Sequence, residues 1–477
     1  MKTYLLYDLE TSGLNPAFDQ ILTFAAIRTD TNFNELERHS FTIQLRPDIV
    51  PSPQACIVHR LSYDDLKDGL PEYDAVKQIH EIVNKPGTVS LGYNTLRFDD
   101  EFLRFSFYRN LLDPYIHQYG NGCSRMDILP LATLYYVFKQ EILKWPLNNG
   151  KPSLKLEKIS EENVLVTSGR AHEAMTDVEA TCNLARIFFK EQEMFNYSID
   201  YFNKQKDEKR IGKIENSIKL KGLPFKLGIM VSHLLGPDLS YMAPVIHIGQ
   251  SRKYSNQSLW LRLDKESILD FTANPEESIP LVVRKKFGDL PIILPSLDRF
   301  HEKLTKDSIE KADMNINAIS DNPGDFFEII DFHREFKYPY VPDLDPDAAL
   351  YQDGFFLKNE KKEILDFHEA DFSGKVQAIS QMSSKRIKVL AQRIIQRNYS
   401  AELLKSTSFE ETDQQEFSDH MSKIRKSDAE HTVKGFRNDT KLNCEDAIKD
   451  LEEIQKSEID SEQQDILSWL NDYLKRI

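Results

Sequence analysis

Four acids and one histidine are the residues with the clearest potential for chemistry: Asp8, Glu10, Asp99, Asp177 and His172. Asp8 and Glu10 alternate along an apolar run, so on a β-strand their side chains would point to the same face. Neighbouring carboxylates repel each other, and burying them is costly unless a cation lies between them. Taken alone, Asp-x-Glu is also compatible with two solvated acids at the end of a strand.

Together these residues suggest metal-assisted hydrolysis at phosphorus. Four carboxylates around one cleft could bind two Mg²⁺ ions, or Mn²⁺ in their place, through oxygen ligands. Two such ions about 4 Å apart suit an in-line displacement. A histidine beside the attacking water could take its proton, because its pKa lies near working pH. The alternatives are a capping or surface role for His172 and a solvated helix position for Asp177.

The surrounding elements are predicted to bring these residues together. Residues 3–10 read as a strand, and residues 87–93 read as another strand that leads into a helix from Phe98. Asp99 therefore lies where a strand passes into a helix, a usual position for a site residue in an α/β sheet. His172 and Asp177 can reach one site only if His172 precedes the following helix while Asp177 lies inside it.

The length of 477 residues predicts two to four domains. Residues 1–192 alternate strands and helices, which is typical of an α/β domain. Residues 195–346 contain short β-runs and a helical tail through Asp325, and residues 348–477 read as helical. Cys444–Ile477 is predicted to form one amphipathic helix.

The net charge of −15 argues against a protein that coats nucleic acid by bulk electrostatics. Phosphate contacts are therefore expected from bound metal or from local basic stretches, at residues 204–221, 284–286 and 385–397. The scattered cysteines argue against a disulfide framework and for a reducing compartment. Without an apolar run that could span a membrane or a signal peptide, the sequence predicts a cytoplasmic protein that binds no membrane.

Three motifs resemble those of the DEDD exonuclease superfamily, in its histidine-containing branch: Asp8-x-Glu10-Thr-Ser-Gly, Asn94-x-x-x-Phe98-Asp99 and His172-x-x-x-x-Asp177. The resemblance implies an RNase H-like fold and 3′→5′ hydrolysis that releases nucleoside 5′-monophosphates. It also implies roles for the acids and the histidine. Asp8, Glu10, Asp99 and Asp177 would be metal ligands, His172 the general base, and Glu10 a catalytic residue that also contacts the substrate. Asp100 is a neighbouring acid, but the motif favours Asp99.

The whole chain is similar to the bacterial exonuclease I family, which acts on single-stranded DNA in repair and recombination. Stretches that carry this similarity include Gly92-Tyr93-Asn94, Arg97-Phe98-Asp99-Asp100-Glu101 and Gly354-Phe355-Phe356. The resemblance implies an exonuclease domain at 1–192, an SH3-like domain at 195–346 and a helical domain at 348–477.

The same resemblance implies contacts and partners. The strand-contacting positions that carry over are Arg104, Tyr115, Tyr119, Lys155 and Lys204. The tyrosine rings could stack on bases or simply pack in the core. Thr133 lies where an arginine would be expected, so that contact is lost or replaced. The family also implies a monomer that binds the acidic tail of single-stranded-DNA-binding protein, for which Tyr197 and Lys139 are candidate contacts.

Other functions remain open on the sequence. The same chemistry could act on RNA 3′ ends or proofread for a polymerase, although the long C-terminal half argues against both. A catalytically silent nucleic-acid-binding scaffold is the alternative from another class. The presence of all four acids and the histidine argues against that scaffold.

Overall fold

The computed structural model describes residues 1–167, 169–170, 172–266, 268–269, 275–405, 409, 411–426 and 432–477. The chain forms two compact units. Unit 1 consists of residues 1–125, 168–179 and 340–477, and unit 2 consists of residues 126–167 and 180–339.

The strands, in chain order, are β1 (Thr3–Thr11), β2 (Ile21–Thr29), β3 (Glu35–Thr42), β4 (Thr88–Leu91), β5 (Ser124–Arg125), β6 (Leu147–Asn148), β7 (Lys151–Pro152), β8 (Asn216–Leu220), β9 (Leu223–Val231), β10 (Met242–Gln250), β11 (Gln257–Arg262), β12 (Val282–Lys286) and β13 (Ile292–Pro295). The α-helices are α1 (Pro53–His59), α2 (Tyr63–Leu66), α3 (Glu72–Val83), α4 (Asp99–Arg109), α5 (Ile128–Phe138), α6 (Leu156–Asn163), α7 (Ala174–Phe189), α8 (Gln192–Ile199), α9 (Lys204–Gly212), α10 (Asp298–His301), α11 (Lys306–Asp321), α12 (Pro323–Glu335), α13 (Leu350–Asp353), α14 (Lys358–Glu369), α15 (Phe372–Gln381), α16 (Lys385–Asn398), α17 (Ala401–Lys405), α18 (Glu411–Arg425), α19 (Cys444–Ile454) and α20 (Ser461–Leu474). Short 3-10 turns lie between them at Ile116–Gln118, Gly120–Gly122, Gln140–Ile142, Asp200–Phe202, His233–Leu235, Pro237–Leu239, Pro275–Leu281 and Pro346–Ala348.

Unit 1 is built on a mixed sheet with the strand order β3-β2-β1-β4-β5. β1 pairs with β2 antiparallel, placing Asp8 opposite Ala25 and Glu10 opposite Thr23, and it pairs with β4 parallel. Apolar residues of β1 and β2 pack against α3 and α4, including Leu5, Phe24, Val76 and Phe102, which are at most 1% exposed. This arrangement confirms the α/β architecture predicted for the N-terminal part of the chain.

The C-terminal helices of unit 1 share a core with its N-terminal part. Phe105 and Tyr108 of α4 belong to the same buried cluster as Leu390 of α16 and Leu470 of α20. The prediction of one long terminal helix is wrong, because residues 455–460 separate α19 from α20. Asp460 caps α20 by accepting a hydrogen bond from the Gln463 amide, a side-chain interaction that starts a new helix.

Unit 2 contains an antiparallel sheet with the strand order β12-β11-β10-β9-β13, to which β8 adds by pairing with β9. Leu259, Leu261, Phe326 and Ile330 form part of one of its buried clusters, so α12 packs on this sheet. The predicted β-rich region is therefore confirmed, and its helical tail continues to Glu335, beyond the predicted Asp325. Its SH3-like classification stays a prediction.

Among the described residues, no helix combines the length and the hydropathy needed to cross a membrane.

Candidate active site

An acidic cluster lies at the end of β1 in unit 1. Asp8 and Glu10 project from alternate positions of this strand, and the Leu9 amide between them donates a hydrogen bond to Asp99 Oδ1 at 3.2 Å. Carboxylate oxygens of Asp8, Glu10 and Asp177 all lie within 4.8 Å of one another. Residues separated by up to 169 positions in the sequence thus meet at one point, as the motifs predicted.

The electrostatics of this cluster indicate an anionic site that a cation would stabilise. Burial, together with the neighbouring charges of Asp177 and Asp99, raises the pKa of Glu10 to about 8. Burial also raises the pKa of Asp8 well above its usual range, with contributions from Asp99, Glu10 and Asp177. Clustered carboxylates with these properties fit oxygen-coordinated divalent ions, because such ions relieve both the repulsion and the loss of solvation.

His172 lies beside this cluster, in the turn before α7. Its φ angle is +63°, and its amide donates a hydrogen bond to Asp177 Oδ2 at 3.3 Å. The helix begins at Ala174, so His172 precedes it and Asp177 lies within its first turn, as predicted. The His172 side chain is exposed, so solvent can reach the imidazole. Ser168 and Ala171, which belong to the same stretch of sequence, lie outside the described residues.

Asp99 and Asp100 are adjacent but have different environments. Asp100 lies 2.6 Å from Arg104 Nη2 and 3.0 Å from His117 Nε2, and it also bonds to Arg125. Burial alone would raise the pKa of Asp100, but Arg104 and Arg125 hold it well below its usual range. Asp100 is therefore an ion-paired structural acid, whereas Asp99 faces the acidic cluster. This geometry supports the motif's preference for Asp99.

Three predicted strand contacts lie in unit 1. Arg104 is buried, and its guanidinium bonds to Asp100 and Glu101, which leaves its contact with DNA a prediction. The Tyr115 ring lies 5.3 Å from that of Phe355, and Arg104 lies above it at 5.7 Å, so this ring is partly used in packing. The Tyr119 side chain is 65% exposed, which suits stacking on a base.

The other predicted contacts lie in unit 2. Lys155 is exposed, with Nζ 3.6 Å from Glu157, and Lys204 is exposed at the first position of α9. Thr133 is buried and its hydroxyl donates to the Leu129 carbonyl, so it makes a helix-internal hydrogen bond. Of the candidate partner contacts, Tyr197 stacks against Arg210 at 4.1 Å and Lys139 lies 3.4 Å from Glu191.

The prediction that the basic stretches 284–286 and 385–397 present their charge to phosphates is wrong for several of their residues. Lys285 is buried and bonds to Asp207 at 2.5 Å. Arg393 and Arg397 are each 2% exposed at the side chain and pair with acids, at 2.6 Å to Asp345 and 2.7 Å to Asp48 respectively. These cations neutralise acids inside the protein, so their charge is not presented to phosphates at the surface.

A second group of side chains also has the spacing of metal ligands. It consists of Asp48, Asp347 and His420. It lies among cations, however, because Arg397 bonds to both acids and Lys441 lies 3.6 Å from Asp48. These cations hold the pKa of Asp48 well below its usual range despite its burial. The group is therefore a neutralised ionic network. Sequence reasoning missed it, because no local pattern joins residues 48, 347 and 420.

Comparison with known families gives matches at both ends of the chain. Residues 5–185 match the family described as Exonuclease, and residues 344–477 match the Exonuclease I C-terminal domain. The former range contains all four clustered acids and His172.

Two related proteins are similar in sequence to this chain over much of its length. Exodeoxyribonuclease I of Escherichia coli is 30% identical over 375 residues, which is 74% of this chain and 76% of that protein. Exodeoxyribonuclease I of Haemophilus influenzae is 28% identical over 323 residues, 66% of this chain but only 61% of the relative. The matched stretch thus spans less than two thirds of the latter relative's length.

The fold is similar to that of solved structures over the full chain. The crystal structure of E. coli exonuclease I in complex with a dA16 oligonucleotide superposes with a TM-score of 0.81 at 23% sequence identity, and the match covers 100% of both chains. At this identity the likeness establishes the fold, including the RNase H-like α/β architecture of the region that carries the acids.

Proposed function

Because the chain belongs to the exodeoxyribonuclease I family, we propose that it is a 3′→5′ exonuclease on single-stranded DNA that releases nucleoside 5′-monophosphates. The observation that carries the proposal is the convergence of Asp8, Glu10, Asp99 and Asp177 at the end of β1, with His172 beside them. A zinc-bound complex of the E. coli enzyme with single-stranded DNA is among the similar structures.

The four acids are the proposed metal ligands, and Mg²⁺ is the proposed ion. Carboxylate oxygens are hard ligands, which suits Mg²⁺ and Mn²⁺ better than soft metals. When bound, two such ions supply activation of water and neutralisation of charge at the scissile phosphate. Such ions would offset the burial and mutual repulsion that raise the pKa of Asp8 and, to about 8, that of Glu10.

His172 is the proposed general base. Its exposed ring belongs to the turn whose backbone is tied to Asp177, so the imidazole is held close to the acids. A neutral imidazole can take a proton from an attacking water and pass it to solvent. Glu10, at the same edge, is the acid proposed to contact the substrate as well as metal.

The domain boundaries and partners belong to the same proposal. The boundaries 1–192, 195–346 and 348–477 are supported by the matches at 5–185 and 344–477. Tyr115, Tyr119, Lys155 and Lys204 remain proposed strand contacts, with Arg104 positioned among buried acids. A monomer in the cytoplasm that binds the acidic tail of single-stranded-DNA-binding protein completes the proposal.

A labelled-oligonucleotide assay tests the substrate class. We expect a 5′-labelled single strand of DNA to shorten stepwise with Mg²⁺ and to stay intact with a chelator. RNA and blunt duplex of the same sequence should be poor substrates, and Asp177→Ala should be inactive on all three. Equal rates on RNA or on duplex DNA would contradict the proposed specificity, and loss of label without stepwise shortening would contradict the direction.

The role of His172 is tested by separating turnover from binding. His172→Ala should lower the rate by about 10²- to 10⁴-fold, the usual value of a positioned proton acceptor. Binding of single-stranded DNA in the presence of Ca²⁺ should change little. A collapse of binding with an intact maximal rate would make His172 a strand contact instead of a base.

A further inference from the structure

The turn that carries His172 is held by a residue of the C-terminal helix α20. Arg170 Nη1 donates to both carboxylate oxygens of Glu462, at 2.9 and 3.0 Å. Glu462 Oε2 also accepts from Arg60 Nη1 at 2.5 Å, and Arg60 pairs with Asp460 at 2.5 Å. Two arginines from distant parts of unit 1 therefore converge on the first turn of one helix.

Helix α20 is a firm support for this contact. Its residues Leu467 and Leu470 are fully buried in the core that they share with Cys56 of α1. Gln463 Nε2 donates to the Ile57 carbonyl at 3.2 Å, which fixes the start of the helix against α1. Glu462 consequently presents its carboxylate from a position that cannot easily shift.

The backbone of Arg170 belongs to the same turn as His172. The Arg170 amide bonds to Glu173 Oε2 at 3.4 Å, and the Glu173 amide donates to the Arg170 carbonyl at 3.2 Å. His172, enclosed by this turn, has a φ angle of +63°. A non-glycine residue rarely adopts that conformation without support from its surroundings, because its Cβ crowds the backbone.

We propose that Glu462, acting through Arg170, is a positioning residue that holds the His172 turn in the conformation needed for proton transfer. The inference rests on the proposed role of His172 as general base. It gives the C-terminal helical domain a part in the chemical step, although none of its side chains is a proposed metal ligand.

The expected effect is modest. Arg170 and Glu462 are 50% and 49% exposed at their side chains, and exposed ion pairs contribute little free energy. Loss of the pair should therefore lower kcat by about twofold to fivefold, with little change in KM. An effect of that size is measurable, and its dependence on His172 separates it from a general loss of stability.

A double-mutant cycle tests the pathway from Glu462 to His172. Arg170→Gln and Glu462→Gln should each lower kcat, and the double variant should be no worse than Glu462→Gln, which also removes the pair with Arg60. Neither substitution should have an effect in a His172→Ala background. The matched control is Lys449→Gln, which removes an exposed ion pair to Asp446, 2.8 Å long, on α19 of the same domain. Additive losses, or losses that persist without His172, would overturn the proposal.

Limited proteolysis tests the turn without any activity measurement. Trypsin cleaves after Arg170, so Glu462→Gln should increase the rate of cleavage there, while Lys449→Gln should leave it unchanged. An unchanged rate in Glu462→Gln would refute the proposed restraint. If the wild-type chain lacked exonuclease activity, the proposed function would fail while the cleavage result still reported on the turn.

Discussion

At the residue scale, the adjacent acids Asp99 and Asp100 divide two tasks at the start of α4. Asp99 accepts the Leu9 amide and faces the other clustered acids, whereas Asp100 bonds to Arg104, Arg125 and His117. One acid thus faces the acidic cluster, while the other fixes the helix start by internal ion pairs.

Substitution of each acid by its amide should separate these tasks. Asp99→Asn should abolish turnover without loss of stability in the metal-free protein, because one like charge leaves the cluster. Asp100→Asn should lower the free energy of unfolding by about 3–5 kcal/mol, since the buried Arg104 and the partly buried Arg125 lose the carboxylate that they share. Urea unfolding and oligonucleotide turnover measure both effects. Normal stability of Asp100→Asn would contradict the structural role given to that acid.

At the element scale, the turn before α7 depends on close packing at Gly169. Its φ angle is +98°, and a Cβ atom at this position would lie 2.1 Å from Thr176 Oγ1. Thr176 itself donates to Glu173 Oε2 at 3.1 Å, so displacement of its side chain would disturb the turn that contains His172.

Gly169→Ala should therefore lower the turnover rate by more than its loss of folding stability alone would explain. The matched control is Gly222→Ala, which has a similar φ of +81° but no atom within 4 Å of the added Cβ. Both variants should lose about 1–2 kcal/mol of stability from the left-handed backbone. The kcat of Gly169→Ala should be lower than the kcat of Gly222→Ala. Equal kcat values in the two variants would rule out steric support of the turn.

The sequence predicted those parts of the site that depend on local pattern. The alternation at Asp8 and Glu10, the strand-to-helix position of Asp99 and the start of α7 after His172 all have short-range signals. The prediction of one helix across α19 and α20 overlooked two signals: Ile459 is the single apolar residue between Ile454 and Ile466, and Asp460 caps the new helix.

The sequence alone could not predict contacts between distant segments of the chain. The pairing of Arg397 with Asp48 joins positions 349 residues apart, and that of Arg170 with Glu462 joins positions 292 apart. A basic stretch in a sequence does not reveal whether its charges face solvent or a buried acid. The exposed phosphate-binding role expected for residues 385–397 failed at Arg393 and Arg397 for that reason.

At the scale of the whole molecule, unit 1 depends on ion pairs between its N-terminal and C-terminal segments. Arg397 bonds to Asp48 at 2.7 Å and to Asp347 at 2.5 Å, with all three side chains buried. Arg397→Met should lower the free energy of unfolding by about 3–5 kcal/mol, because two buried acids lose one of the cations that neutralise them. Lys449→Met, at an exposed pair, should change it by at most about 0.5 kcal/mol. Equal effects on urea unfolding would refute the importance of the network.

Buried histidines should make unit 1 sensitive to acid. Burial lowers the pKa of His59 and of His368 to about 4, compared with 6.5 in an unfolded chain. Between these values the unfolded state binds more protons at the two histidines, so their contribution to the free energy of unfolding falls as pH decreases from 6.5 to 4. Glu10, whose pKa is raised to about 8, contributes with the opposite sign. Thermal unfolding of the wild type and His368→Gln at a series of pH values isolates the histidine contribution, and the stability difference between the two proteins should change across this window. A constant difference would contradict it.

The division of unit 1 among three stretches of chain also sets an order of events during synthesis. Residues 1–125 leave the ribosome first, yet Phe105 and Tyr108 find their packing partners in α16 and α20, which are translated much later. A nascent chain therefore carries the proposed metal ligands before it can hold them in a finished core. We expect ribosome-bound chains stalled before residue 340 to be sensitive to protease and inactive on single-stranded DNA. The nuclease would thus be synthesised in an inactive form and would become active after the C-terminal helices have been added.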